Sequence, residues 1–175
     1  SGILEYFLPD ITLGTKAYNS YQEIYSATVH ELAHASHFSR TGTEYWDKYI
    51  RYVIESYVNS GGKLYGDGLS SGAGYCEVCE MWAYYLESKL HKQRYGGPFP
   101  EIGTGWWFYP QIFRFMDERG LDQGEIFSVL EEDVDSRLAL KNALLLKYPD
   151  SREMIDQVFS RKKKKKAHFV PGGAL

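Results

Sequence analysis

The sequence predicts a mainly α-helical fold in a single domain that covers residues 1–160. A chain of 175 residues with 43% hydrophobic and 16% aromatic content can bury one sizeable core. Apolar residues recur at helical spacing, and the sequences Ser-Tyr-Gln-Glu at 20–23 and Asp-Gln-Gly-Glu at 122–125 are capping boxes that mark helix starts. Only residues 3–15 carry β-type side chains around a turn, which allows at most one short edge strand near the N-terminus.

The first helix is expected to begin at Ser20 and to end near Ser39, before Gly42. At 100° per residue, one side of this helix is a mostly apolar band, and we expect that side to pack against the core. His30 and His34 lie on the opposite side, as residues that line a cleft would. The apolar band consists of Ile24, Tyr25, Thr28, Val29, Leu32, Ala35 and Ser36.

Within this helix the sequence reads His-Glu-Leu-Ala-His at 30–34, the HExxH arrangement typical of zinc metallopeptidases. Side chains four residues apart on a helix are offset by about 40° and one turn, so His30 and His34 can bind one metal ion. Glu31 lies beside the pair. From there it can reach a water molecule on the metal and act as a general base.

Two histidines are too few for a catalytic zinc ion, which usually has three protein ligands and an open position. His37 shares the face of His30 but lies about 10 Å along the helix axis from it, so we expect His37 to surround the site or to be exposed. The metzincin pattern is excluded because Arg40 stands where that pattern needs a third histidine. The third ligand must therefore come from a later segment.

A second helix, predicted over residues 74–90, is the best source of that ligand. Its apolar band is Val78, Trp82, Tyr85, Leu86 and Leu90, and its other face collects Glu77, Glu80, Tyr84 and Glu87. A carboxylate from this acidic face can complete the zinc site, and on these residues alone Glu77 and Glu80 both stay open. Asp67, in the glycine-rich loop that precedes the helix, is a further alternative, although the residues around it lack the pattern of aspartate-type zincins.

The rest of the chain is expected to add further helices. One covers residues 44–58, one opens with the aromatic run 106–109 and includes Met116, and one covers 135–147. Asp122 and Asp150 are each followed three residues later by a glutamate, so we expect a helix start at both. In the second helix Cys76 and Cys79 are expected to be free, partly buried thiols, since the chain has no second Cys-x-x-Cys motif.

The residues of these two helices resemble the gluzincin zinc metallopeptidases, in which a glutamate on a later helix completes HExxH. In lethal-factor-like catalytic domains that glutamate is followed by two large apolar residues and alanine, and Glu80-Met81-Trp82-Ala83 has this pattern. The first helix is also similar to that of zincin-like cell-envelope proteins of Bacteroides-type bacteria. The resemblance covers mainly residues 20–40 and 74–90. It implies a zincin-like metallopeptidase domain with one Zn²⁺ ion and with Glu80 rather than Glu77 as third ligand. It also implies a tyrosine or histidine that stabilises the oxyanion, with Tyr75, Tyr84 and Tyr65 as candidates.

Together these observations predict a zinc-dependent metallopeptidase that hydrolyses peptide bonds in a peptide or protein substrate. Glu31 takes a proton from a water held by the zinc and passes it to the leaving amine, so no covalent enzyme intermediate forms. The alternative is a catalytically inactive zincin-like module that serves in binding or structure, with or without metal. The intact Glu31 favours the enzyme, because a purely structural zinc site has no use for a base.

The charge distribution argues against nucleic acid as a partner. Residues 161–166 contribute six positive charges to a net charge of −3, which leaves −9 on the rest of the chain. We expect residues 161–175 to form a flexible basic tail and assign no function to its lysine run. The sequence has no apolar run of about 18 residues and no signal peptide, so it predicts no transmembrane segment. Because of its resemblance we expect an exported protein, in the periplasm, the cell envelope or outside the cell, whose targeting signal is absent from this sequence.

Overall fold

A computed structural model describes residues 19–161, and helices account for all of its regular secondary structure. The predicted mainly α class is confirmed, and this part of the chain contains no strand. The edge strand predicted in residues 3–15 and the tail from residue 162 onward lie outside the described residues. Between residues 19 and 161, no helix has both the length and the apolar composition needed to cross a membrane. The helices are α1 (Tyr21–Asn59), α2 (Ala73–Tyr95), α3 (Gln111–Asp117), α4 (Gln123–Phe127), α5 (Arg137–Lys147) and α6 (Arg152–Ser160), with a 3₁₀ turn at Pro149–Ser151.

Helix α1 is broken at Gly42, and its two halves bend toward each other. The backbone of Gly42 has φ 75° and ψ −178°, a region that only glycine occupies readily. In a straight helix Tyr49 would lie about 22 Å along the axis from His34. The centroids of the two rings are 6.1 Å apart. The helix predicted to end near Ser39 and the one predicted over residues 44–58 are therefore the two halves of α1.

Helix α2 is the centre of the fold because both of its faces are buried. As predicted, Val78, Trp82 and Tyr85 pack into the main hydrophobic core. The acidic face, which the sequence placed away from the packing side, is also covered, since Glu80 is 0% and Glu87 is 8% exposed. The core residues that the later helices and turns add to α2 include Phe108, Phe113, Met116, Ile126, Leu140, Leu144 and Ile155.

The face of α1 that packs against α2 is not the predicted apolar band. Ile24 and Leu32, two members of that band, are 40% and 52% exposed, whereas His30 and His34 are 8% and 9% exposed. The prediction was wrong because it assumed that the partner surface would be apolar, and α2 instead offers polar side chains that pair with those of α1. These pairs are Ser26 with His91, His30 with Glu87, His30 and His34 with Glu80, and His37 with Cys79.

Local capping signals predicted some helix starts correctly and others wrongly. The Ser20 hydroxyl accepts a hydrogen bond from the amide three residues later at 3.2 Å, and the Asp122 box is formed in both directions, at 2.9 and 2.8 Å. Asp150, in contrast, lies in the 3₁₀ turn, and α6 begins after it without a side-chain cap. The aromatic run 106–109 precedes α3 instead of opening it, because Pro110 follows the run and proline favours a helix start.

Gly42→Ala is expected to destabilise the fold by about 1–3 kcal/mol, since alanine is strained in this backbone conformation. A Cβ at position 42 meets no atom within 4 Å, so the cost comes from the backbone alone. Gly105→Ala is the matched control, because a Cβ there also meets no atom within 4 Å and its backbone is not left-handed. Urea unfolding measures both variants. Equal stability of the two would show that the break in α1 does not require glycine.

Candidate metal centre

The side chains of His30, His34 and Glu80 converge between α1 and α2. The Nε2 atoms of the two histidines are 3.1 Å apart. Glu80 Oε2 lies 3.5 Å from His30 Nε2, and Glu80 Oε1 lies 3.6 Å from His34 Nε2. Each residue offers one ligand atom such that all three atoms lie within 4.8 Å of one another. The three residues that the sequence analysis proposed as ligands can therefore hold one metal ion.

The geometry of this cluster suits zinc. In a tetrahedral site with bonds of about 2.0–2.1 Å, neighbouring ligand atoms lie roughly 3.3–3.4 Å apart, and the observed separations bracket that value. Glu80 Oε2 is buried and has no hydrogen-bond partner among the described residues. A buried carboxylate oxygen normally has a partner. Two imidazoles and one carboxylate are also a donor set that zinc accepts.

Two further side chains, Glu87 and Tyr49, contact the residues of the cluster. The sequence analysis did not assign either of them to the site. Glu87 Oε2 lies 3.0 Å from His30 Nδ1, which fits a donated N–H and, in the neutral ring that a metal ion binds, leaves Nε2 as the lone-pair nitrogen. The Tyr49 hydroxyl donates to Glu80 Oε1 at 2.7 Å. Glu87 follows Glu80 by seven residues on the same helix face, a spacing that could have identified it. The sequence held no comparable signal for Tyr49.

The charges of the cluster shift the pKa values of its members in different directions. Burial lowers the pKa of His30, but the nearby carboxylates of Glu80 and Glu87 outweigh burial and raise it to about 10. Burial lowers the pKa of His34 to about 4, against the opposing charge of Glu80. Burial alone would raise the pKa of Glu80, but His34, His30 and Tyr49 reverse this and hold it below its usual value. At neutral pH the protein thus favours the imidazolium form of His30, and a metal ion must displace its second proton.

Glu31 follows His30 in the sequence and is not one of the three residues that could hold a metal ion. Its side chain is half-buried. Burial raises the pKa of its carboxyl group, the nearby His30 lowers it, and the charges of Glu80 and Glu87 raise it again, so the net pKa is above the usual value. A carboxylate with a raised pKa accepts a proton more readily than an ordinary one, as a general base must.

His37 and the two cysteines lie behind the cluster in the α1–α2 interface. His37 is 0% exposed, so the expectation that it could be an exposed residue was wrong, and its Nδ1 lies 3.4 Å from Cys79 Sγ. The ring of Trp46, from the second half of α1, contacts both histidine rings, with its centroid 5.4 Å from that of His34 and 6.1 Å from that of His37. Cys76 and Cys79 are free thiols, as predicted, and both are 0% exposed, not partly buried.

The two alternative acidic ligands lie in other surroundings. Glu77 Oε1 is 3.5 Å from the guanidinium of Arg137, which links α2 to α5. Asp67 is exposed and accepts a hydrogen bond from the amide of Leu69 at 3.0 Å, a local turn contact. Neither carboxylate belongs to the cluster of His30, His34 and Glu80.

Of the three candidate tyrosines, two flank the cluster. The ring centroid of Tyr84 lies 4.4 Å from that of His30. Burial raises the pKa of Tyr65, and the charge of Glu80 raises it further, which puts the Tyr65 phenol in the neighbourhood of that carboxylate. Tyr75 packs instead against Tyr45, at a centroid distance of 4.8 Å.

Tyr65 is held in an unusual backbone conformation. It has φ 63°, a positive value shared by no other non-glycine residue in the described part of the chain. Its carbonyl oxygen accepts hydrogen bonds from the Tyr52 hydroxyl and the Trp107 indole N–H, both at 2.9 Å. Its ring packs edge-on against Trp106 and Phe108. Such over-determined strain is common where a side chain must be held for function.

No family model, curated protein or solved structure matches this chain. The fold and the cluster therefore define the class of protein only as a helical domain with a candidate metal centre between two packed helices. The gluzincin resemblance rests on the short motifs of α1 and α2.

Glu80→Gln is expected to weaken zinc binding by more than about 100-fold, since losing a ligand should cost more than losing an outer partner. Glu77→Gln is the matched control, because it makes the same change one turn earlier on α2, outside the cluster. Competition with a chromogenic chelator measures both dissociation constants. Unchanged zinc affinity in Glu80→Gln, or loss of affinity in Glu77→Gln, would contradict this ligand set.

Proposed function

We propose that the protein is a zinc-dependent metallopeptidase of gluzincin type, with His30, His34 and Glu80 as ligands of one zinc ion. One observation carries the proposal: Glu80, from a separate helix, meets both histidines of the HExxH sequence at 3.5 and 3.6 Å. The metal-binding motif and its missing carboxylate were inferred from different segments of the chain. Because these side chains meet inside one interface, their positions support a shared role as ligands of one metal ion.

A zinc ion bound by these residues supplies Lewis acidity, which makes water a stronger acid and a carbonyl carbon more electrophilic. The role of Glu31 follows from its position beside the ligands and its raised pKa. Its carboxylate accepts a proton as water oxygen adds to the peptide carbonyl carbon. The same carboxyl group then donates that proton to the amide nitrogen as the C–N bond breaks. The substrate is accordingly a peptide or protein.

A hydrogen-bond donor must also stabilise the negative charge that develops on the carbonyl oxygen. Tyr65 and Tyr84 lie on the cluster, and we assign this role to Tyr65. The hydrogen bonds to its carbonyl oxygen and the edge-on packing of its ring fix its position. A donor fixed before the substrate arrives needs no reorganisation during the reaction. Tyr84 already packs its ring against His30.

A second candidate function is a non-catalytic module in which the cluster is structural. The pKa of His30, raised to about 10, allows its imidazolium to pair with Glu80 and Glu87 and so to balance the buried charges with a proton alone. Such a network needs no metal. The structural module gives no role to Glu31, whereas the peptidase requires Glu31 as its general base. A Glu31 variant therefore distinguishes the two candidate functions.

Glu31→Gln is expected to keep zinc affinity and to lose peptide hydrolysis by about 10²- to 10⁴-fold, the usual contribution of a general base. The measurement is cleavage of a quenched fluorescent peptide library by the zinc-loaded parent and variant, with zinc content determined for both. Glu23→Gln, a carboxylate on the first turn of α1, is the control. Undiminished hydrolysis in Glu31→Gln would contradict the mechanism, and a parent that cleaves nothing would favour the structural module.

Tyr65→Phe is expected to lower kcat by about 10²- to 10³-fold, because it removes one oxyanion donor. The assay is run with saturating zinc, so that kcat reports the oxyanion donor separately from any effect of the phenol on Glu80. Tyr75→Phe serves as the control. It also removes one phenol hydroxyl, but Tyr75 packs against Tyr45 and not against the cluster. If Tyr75→Phe lost activity while Tyr65→Phe kept it, the assignment would be reversed.

A further inference from the structure

The carboxylate of Glu80 has two oxygens in different surroundings. Glu80 is 0% exposed. Its Oε1 accepts a hydrogen bond from the Tyr49 hydroxyl at 2.7 Å. Its Oε2 has no hydrogen-bond partner among the residues that the structure describes, and it lies 3.5 Å from His30 Nε2. One oxygen is therefore occupied by the protein, and the other remains available to a metal ion.

A glutamate does not hold such an orientation by itself. The terminal torsion of its side chain is soft and has broad, roughly two-fold minima, so a free carboxylate turns to present either oxygen or both. A hydrogen bond from a fixed phenol removes that freedom. Tyr49 is such a donor, because its ring packs against Trp46 at a centroid distance of 5.0 Å and against His34 at 6.1 Å.

We propose that Tyr49 is a positioning residue of the metal centre, which orients Glu80 so that Oε2 alone serves as the zinc ligand. This role rests on the proposed zinc site but not on peptidase activity. It makes both halves of α1 part of the site, since the first half supplies the two histidines and the second half supplies the residue that orients the third ligand.

The bend of α1 at Gly42 brings the Tyr49 hydroxyl within hydrogen-bond distance of Glu80. Fifteen residues separate His34 from Tyr49, about 22 Å on a straight helix. With the break, the Tyr49 hydroxyl reaches the carboxylate of a ligand that also lies 3.6 Å from His34. The conformation of Gly42, with φ 75° and ψ −178°, is therefore a requirement of the metal centre as well as of the fold.

Tyr49→Phe tests the proposal through zinc affinity and through the visible absorption of the Co²⁺-substituted protein, which reports ligand geometry. We expect the zinc dissociation constant to rise by about 10- to 100-fold, the range for loss of an outer-shell partner, together with a changed Co²⁺ spectrum. Tyr45→Phe is the matched control, one turn earlier on α1. Tyr45 is 2% exposed, and its hydroxyl donates to backbone carbonyls at 3.4 and 3.3 Å instead of to Glu80.

Zinc affinity within about threefold of the parent and an unchanged Co²⁺ spectrum in Tyr49→Phe would overturn the proposal, as would an equal loss in Tyr45→Phe. If Tyr49→Phe does not fold, as judged by circular dichroism, Gly42→Ala decides. Weakened zinc binding with a changed Co²⁺ spectrum in folded Gly42→Ala supports the proposal, and parent-like zinc binding overturns it. A parent that binds zinc but cleaves no peptide refutes the proposed peptidase and leaves the role of Tyr49 standing, whereas a parent that binds no zinc refutes both.

Discussion

The burial of the Glu80 carboxylate between α1 and α2 is the constraint on which the rest of the structure depends. An isolated buried charge costs several kcal/mol, so the residue can be fully covered only if its surroundings compensate it. His30, His34 and Tyr49 do so from the two halves of α1. The opposite face of α2 packs into the apolar core, which fixes the helix against movement and keeps the carboxylate in place.

The same contacts explain why the ligand atoms are already close together. Two imidazole nitrogens 3.1 Å apart repel unless a cation or a proton lies between or beside them. His30, whose pKa is raised to about 10, supplies that proton from its own ring, and Glu80 and Glu87 stabilise it. A divalent ion in the same place would displace the proton and would leave one more positive charge beside the carboxylates. The three candidate ligand atoms are therefore already close together, which would reduce the rearrangement that metal binding requires.

Features of the site that depend on local sequence were predictable, and features that depend on the path of the chain were not. The spacing of His30 and His34 and the cap at Ser20 follow from helix geometry over a few residues. The packing face of α1 was predicted wrongly because it is determined by α2, a partner distant in sequence. That Glu80 rather than Glu77 meets the two histidines could be predicted through its resemblance to a known ligand pattern. Tyr49 could not, because the sequence marks Gly42 as a helix boundary without revealing that the chain bends back there.

Three tyrosines lie around Glu80: Tyr49 from the second half of α1, Tyr65 from the loop before α2, and Tyr84 from α2 itself. The second half of α1 is directed by the left-handed backbone of Gly42. The loop before α2 holds Tyr65 through two hydrogen bonds to its carbonyl oxygen, in a backbone conformation with positive φ. Tyr84 is held by stacking on the buried ring of Phe108. Backbone strain persists only where the surroundings over-determine it. Of residues 19–161, only Tyr65 is a non-glycine residue with a positive φ, and the two hydrogen bonds to its carbonyl oxygen help to hold it there, so its phenol is kept near Glu80 at a cost in backbone energy.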